Sequence, residues 1–164
     1  RISSKKTKAF RTRRLRTGGT SIRKERKKIM SYKIDEIEGI GPSYADKLIK
    51  GQITTTDHLL DKCGTPQGRK STAEQTGIGE SHLLKWANMA DLMRVSGVGR
   101  QYAELLEASG VDTIKELRNR NAENLFSKMN EINEQKKLSK SSPAQNLVQD
   151  WIEQAKTMDP KISF

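Results

Sequence analysis

Two short segments of the sequence carry the same glycine-rich pattern, in which two glycines alternate with apolar residues. They read IEGIGPSYADKL at 37–48 and VSGVGRQYAELL at 95–106. The first glycine of each pair can adopt a positive φ, and the second lets the backbone approach a neighbour closely. A helix that starts directly after such a turn presents free N–H groups and a partial positive charge, which suit a phosphate. The pattern therefore allows either close packing against a neighbouring helix or the binding of an anion such as a phosphate.

These segments belong to an internal repeat in which every matched pair has the same separation along the chain, without a gap. The matched pairs are Gly39 and Gly97, Gly41 and Gly99, Tyr44 and Tyr102, Ala45 and Ala103, Leu48 and Leu106, Ile53 and Val111, Thr55 and Thr113, and Leu59 and Leu117. A unit of about 25 residues, repeated at 35–60 and 93–118, predicts a turn, a helix, a short connection and a second helix. A degenerate copy, TGIGESHLLKW, falls within 74–88.

The pattern of apolar residues predicts an all-α domain over residues 30–164. Apolar residues recur at helical spacing, and no alternating strand pattern interrupts the repeats. A C-terminal helix is expected at about 143–157, with Pro143 at its first position and Trp151 on its apolar stripe. The segment CGTPQGRK at 63–70 is expected to be a loop because it is rich in turn-forming residues.

The positive charge is concentrated at one end of the chain. Residues 1–29 carry 13 Lys and Arg and a single acid, a net charge of +12, whereas the rest of the chain has a net charge of −1. We expect this basic tail to be disordered when free. Its cations, including Arg13, Arg14 and Arg16, suit a polyanion such as DNA or RNA. Two alternatives are that the tail only keeps the chain soluble, and that the natural chain starts at Met30.

Other function classes find little support in the sequence. His58 and His82 lack partners at metal-ligand spacing, and Cys63 has no nearby histidine. No carboxylate has the apolar setting that acid–base catalysis needs. No apolar run approaches the roughly 20 residues of a membrane-spanning helix, and the N-terminal basic stretch is not followed by the apolar part of a secretory signal. We therefore expect a non-catalytic, cytoplasmic protein without metal, cofactor or membrane contact.

The repeated units resemble the helix-hairpin-helix motif, over residues 35–60 and 93–118 with the degenerate copy at 74–88. In that family, the backbone amides of the hairpin hold the phosphates of one strand without reading base sequence. The segments MSYKIDEIEGIGPSYADKL, TPQGRK, LLKWANMADLMRVSGVG, LLEASGVDTIKELRNRN and WIEQAK together resemble an uncharacterised bacterial family of tandem helix-hairpin-helix units, catalogued only as a domain of unknown function. This resemblance covers residues 30 to about 160 and implies a fold rather than an activity.

The nucleic-acid hypothesis places the main site at the copy in which two arginines flank the turn. Its residues would be the backbone amides of Gly97, Val98 and Gly99 and the side chains of Arg94 and Arg100. The first copy, with Gly39, Gly41 and Lys47, is the weaker candidate. There Pro42 removes an amide donor and acidic residues surround the turn. The rival hypothesis is a protein–protein adaptor in which the glycine turns only pack helices together, because a nearly neutral domain does not require phosphate contact.

Overall fold

The domain is built from short helices. The computed structural model describes residues 31–164 of the 164-residue chain. A 3-10 turn, Ile34–Glu36, is followed by α1 (Pro42–Lys50), α2 (Thr56–Cys63), α3 (Pro66–Thr76), α4 (Glu80–Leu92), α5 (Arg100–Ala108), α6 (Ile114–Leu117), α7 (Ala122–Lys136) and α8 (Gln145–Lys156). The described residues contain no strand, only an isolated antiparallel bridge between Lys33 and Thr55, so the all-α prediction is confirmed for them. The predictions for residues 1–29, including Arg13, Arg14 and Arg16, lie outside this range.

The two halves of the domain, α1–α4 and α5–α8, follow the same order. The first and last residues of α1 and α5 have the separation that the sequence repeat predicts. Thr55 and Thr113 cap the helices that follow, each accepting a backbone N–H three residues further on. Each half then continues with two more helices beyond the predicted unit of about 25 residues.

In the glycine turns of the two full repeats, at 39–41 and 97–99, the first glycine has a positive φ and faces a buried tryptophan. The φ angle is +99° at Gly39 and +97° at Gly97. A Cβ at Gly39 would lie 3.4 Å from Nε1 of Trp86 on α4, and one at Gly97 would lie 3.1 Å from Nε1 of Trp151 on α8. At Gly77, in the degenerate copy, φ is +78° but no atom lies within 4 Å of an added Cβ. This copy therefore has the glycine turn without the tryptophan contact.

Replacing Gly97 with alanine is expected to lower the free energy of unfolding by roughly 1–3 kcal/mol. The new Cβ would force a strained positive φ and press against Trp151. Gly99→Ala is the matched control, because φ at Gly99 is −95° and no atom lies within 4 Å of the added Cβ. It should cost about 0.5–1 kcal/mol, the lower part of the range for replacing a favourable N-cap residue with alanine. Urea denaturation followed by circular dichroism measures both, and equal losses would contradict the tryptophan contact.

Two sequence-based predictions are wrong, the loop at 63–70 and Pro143 as the first residue of the C-terminal helix. The segment 63–70 is mostly helical, because α3 starts at Pro66 and its N-cap Thr65 accepts the Gly68 N–H at 3.0 Å. The turn-forming residues there begin a helix rather than a loop, and a Cβ at Gly68 would overlap the Lys62 carbonyl. The C-terminal helix starts at Gln145, two residues later than expected, because the backbone stays extended through its N-cap Ala144.

The segment after α8 crosses back over the domain and is held by three arginines. They donate to main-chain carbonyls: Arg118 Nη2 to Met158 O at 2.7 Å, Arg94 Nη1 to Asp159 O at 2.9 Å, and Arg69 Nη2 to Ser163 O at 2.8 Å. Because Arg69 lies on α3 and Arg118 follows α6, these bonds join the two halves of the domain.

Candidate nucleic-acid interface

Among the helices of residues 31–164, three begin at a glycine N-cap, which has no side chain to bond the free N–H groups of the first turn. They are α1, α4 and α5, with N-caps Gly41, Gly79 and Gly99. Their first helical residues are Pro42, Glu80 and Arg100. Proline removes one donor and glutamate repels an anion, whereas arginine attracts one. The start of α5 is therefore the most favourable of the three for a phosphate.

The start of α5 forms one wall of an open cleft of about 370 Å³. Gly97, Gly99, Arg100 and Gln101 lie on this wall. The opposite wall is the loop between α7 and α8, with Ser139, Lys140 and Ser141. A second cleft of about 440 Å³ continues along the same loop and reaches Lys137. Residues with backbone amides, hydroxyl groups and cationic side chains therefore line one opening.

The α7–α8 loop is held in place by Asn133, near the end of α7. Its Nδ2 donates to the Ser139 carbonyl at 3.1 Å, and its Oδ1 accepts the Ser139 N–H at 2.9 Å. The hydroxyl of Ser139 donates to the Ser141 carbonyl at 2.9 Å. The first half has only residues 77–79 between α3 and α4, so no comparable loop stands opposite its glycine turn. Sequence reasoning missed Lys140 because its surroundings show only a polar loop.

The prediction that Arg94 adds charge beside the turn is wrong, because its side chain is buried. Only 8% of the side chain is exposed, and Nη1 lies 2.7 Å from Oδ1 of Asp91. The same nitrogen donates to the carbonyl of Asp159. A guanidinium fixed in this way cannot reach an anion in the cleft, so Arg94 has a structural role.

Asp91 is the centre of this buried network. One carboxylate oxygen pairs with Arg94, and the other accepts the backbone N–H of Ile114, at the start of α6, at 2.9 Å. Burial raises the pKa of Asp91, and the bonds from Ile114 and Arg94 oppose that rise. The network ties α4 to α6 and to the segment after α8.

In the turn before α5, some backbone N–H groups already donate hydrogen bonds within the domain and others do not. The Val98 N–H donates to the Val95 carbonyl at 3.1 Å, and the Val98 side chain is fully buried. The prediction that the Val98 amide donates to a phosphate is therefore wrong. The Ser96 N–H donates to Oε1 of Gln154 at 2.9 Å. Within residues 31–164, the N–H groups of Gly97 and Gly99 make no hydrogen bond. These two predicted donors border the cleft and can serve a ligand.

The first turn differs in charge. Gly39 and Gly41 are exposed, but Glu38 stands beside them. Lys47 lies in the last turn of α1, away from its glycine start, with Nζ 5.9 Å from the centre of the Tyr44 ring. The contact observed for the Lys47 ammonium group is therefore with an aromatic ring of α1, and its part in a phosphate site at the first turn stays a prediction.

Sequence comparison assigns the chain to a family without defining its activity. Residues 38–158 match the family described as a domain of unknown function, DUF4332. The chain belongs to this family. No curated protein and no solved structure matches it significantly.

None of the helices described in residues 31–164 is long and apolar enough to cross a membrane. The same residues contain no group of three or more His, Cys, Asp or Glu side chains placed to hold a metal ion.

Proposed function

We propose that the protein is a non-catalytic, nucleic-acid-associated module that holds a backbone phosphate at the start of α5, in the manner of a helix-hairpin-helix unit. The observation that supports this most is the convergence on one cleft of the free amides of Gly97 and Gly99 with Arg100 and Lys140. Such groups contact phosphate and carry no base specificity, so DNA and RNA are both suitable ligands. The single cysteine, Cys63, fits a reducing compartment such as the bacterial cytoplasm.

The basic tail extends this proposal. Its 13 Lys and Arg would attract the same polyanion without sequence preference, while the cleft would fix one phosphate in place. The domain itself, with a net charge of −1, supplies little general attraction. We therefore assign the long-range attraction to residues 1–29 and the positioning to α5 and the α7–α8 loop.

Replacing both Arg100 and Lys140 with glutamine in the full chain should weaken binding and lower the salt slope of log K by roughly one to two units. The salt slope depends on how many counterions are released on binding, and each lost phosphate contact lowers that number by about one. The tail contributes equally to the slope of every variant. The control is Lys62→Gln with Lys115→Gln, which removes two charges from exposed positions on α2 and α6. Fluorescence anisotropy of a labelled 12-nucleotide oligonucleotide, titrated at several salt concentrations, measures the salt slopes. Equal slopes in the two double variants would contradict the proposal.

The second candidate is a protein–protein adaptor, and one observation favours it. Ile49 is 50% exposed and borders a cleft of about 400 Å³ that also contains Ile34. A half-exposed isoleucine beside this cleft gives a partner protein a small apolar contact. If the adaptor function is correct, the tail supplies all nucleic-acid affinity, and the Arg100/Lys140 variant behaves like its control.

A further inference from the structure

An ion pair joins the two main glycine turns. Nε of Arg100, directly after Gly99, donates to Oε1 of Glu38, directly before Gly39, at 3.1 Å. The side chains are 49% and 40% exposed, so water reaches both. The cation at the proposed phosphate site is therefore already engaged by a carboxylate from the other half of the domain.

We infer that Glu38 competes with the nucleic-acid phosphate for Arg100, so that the first turn sets the affinity of the site at the start of α5. This inference rests on the proposed function. An exposed ion pair is weak, because water screens it and two mobile side chains must be ordered. A phosphate in the cleft would be held by the amides of Gly97 and Gly99 and by Lys140 in addition to Arg100. The ligand therefore has more partners than Glu38 has.

The exchange needs only a side-chain movement. A guanidinium has five N–H donors, and Glu38 engages one of them, at Nε. Arg100 can rotate towards the cleft, which it already borders, without any change in α5. The free protein then keeps Arg100 neutralised by Glu38, and the bound protein leaves Glu38 without its partner.

A nearby acid provides a strict control for this inference. Glu104 lies one turn further along α5, and both Glu38 and Arg100 act on its charge. Burial raises the pKa of Glu104, and the charge of Glu38 adds to this rise. Arg100 is ion-paired with Glu38 and not with Glu104. Glu104→Gln therefore removes a negative charge from the same surface and leaves that ion pair intact.

The test is a double-mutant cycle in the full chain, comprising the wild type, Glu38→Gln, Arg100→Gln and the double variant, with Glu104→Gln as the control. The probes are a labelled 12-nucleotide single strand and the corresponding duplex, at low salt and followed by anisotropy. Glu38→Gln should tighten binding by about two- to five-fold, the range of an exposed ion pair. The gain should disappear when Arg100 is glutamine, and Glu104→Gln should give a smaller gain.

The outcomes separate this inference from the proposed function. The competition is overturned if Glu38→Gln gives no gain in affinity, or the same gain with and without Arg100. The proposed function survives either result as long as Arg100→Gln weakens binding. If Arg100→Gln leaves the affinity unchanged, the proposed function itself fails. Circular dichroism of each variant confirms that the fold is intact, as expected for exchanges at exposed side chains.

Discussion

Replacing Trp151 with alanine is expected to lower the free energy of unfolding by roughly 3–5 kcal/mol, the usual range for a large core side chain. Trp151 is fully buried, and its ring centre lies 5.2 Å from that of Tyr102 on α5. The indole also lies against the main turn at Gly97. Its loss therefore leaves a cavity between α8 and the helix that carries the proposed site. Urea denaturation followed by circular dichroism measures the change.

Two other substitutions make this prediction specific. Trp86→Ala should have a similar cost, because Trp86 is 2% exposed and lies 4.9 Å from the Tyr44 ring in the corresponding place of the first half. Trp151→Phe should cost less, because it keeps most of the volume and removes an indole N–H that has no hydrogen-bond partner among the described residues. A loss below about 1 kcal/mol for Trp151→Ala would show that α8 is peripheral, since large core deletions cost more.

Replacing Asp91 with alanine is expected to cost about 3–5 kcal/mol, because it leaves the Arg94 guanidinium buried without its counter-charge. The N–H of Ile114 would also lose its acceptor. The C-terminal segment should loosen as well, because Arg94 holds the Asp159 carbonyl. Denaturation gives the free energy, and limited proteolysis should show earlier cleavage after Lys156 than in the wild type.

Glu153→Gln is the matched control for Asp91. It removes the acid of another i,i+3 ion pair, Glu153 with Lys156, in which both side chains are more than half exposed. This change should cost less than about 1 kcal/mol, since exposed ion pairs contribute little. Equal losses at Asp91 and Glu153 would contradict the buried network. The same network makes Arg94→Ala unsuitable as a test of binding, because it would change the fold.

Periodicity and turn chemistry predicted much of the fold. Adding the constant separation of the matched pairs to the first and last residues of α1 gives the first and last residues of α5. Positive φ at Gly39 and Gly97 also follows from the pattern, because only glycine adopts it without strain. The tryptophan contacts could not be predicted. Trp86 and Trp151 lie outside the two main repeated units at 35–60 and 93–118, and they are further apart in the chain than Gly39 and Gly97 are.

The candidate site was less predictable, because side-chain burial decides which charges are free. Arg94 and Arg100 both flank the turn in the sequence, yet Arg94 is buried and Arg100 is exposed. The spacing of Asp91 and Arg94 by three residues is common on exposed helix faces and did not reveal a buried pair. Lys140 is distant from Arg100 in the sequence and enters the site only through the folding of the α7–α8 loop.

The central claim is that the start of α5 holds a nucleic-acid phosphate, and backbone amide resonances test it most directly. In ¹⁵N-labelled full-length wild type, a short oligonucleotide should shift the amides of Gly97, Gly99 and Gln101 in a salt-dependent way. The amide of Gly41, at the corresponding position of the first turn, should shift less, because Glu38 lies beside that turn. Saturating oligonucleotide that leaves Gly97, Gly99 and Gln101 unshifted would contradict the claim and leave the glycine turn as a packing device.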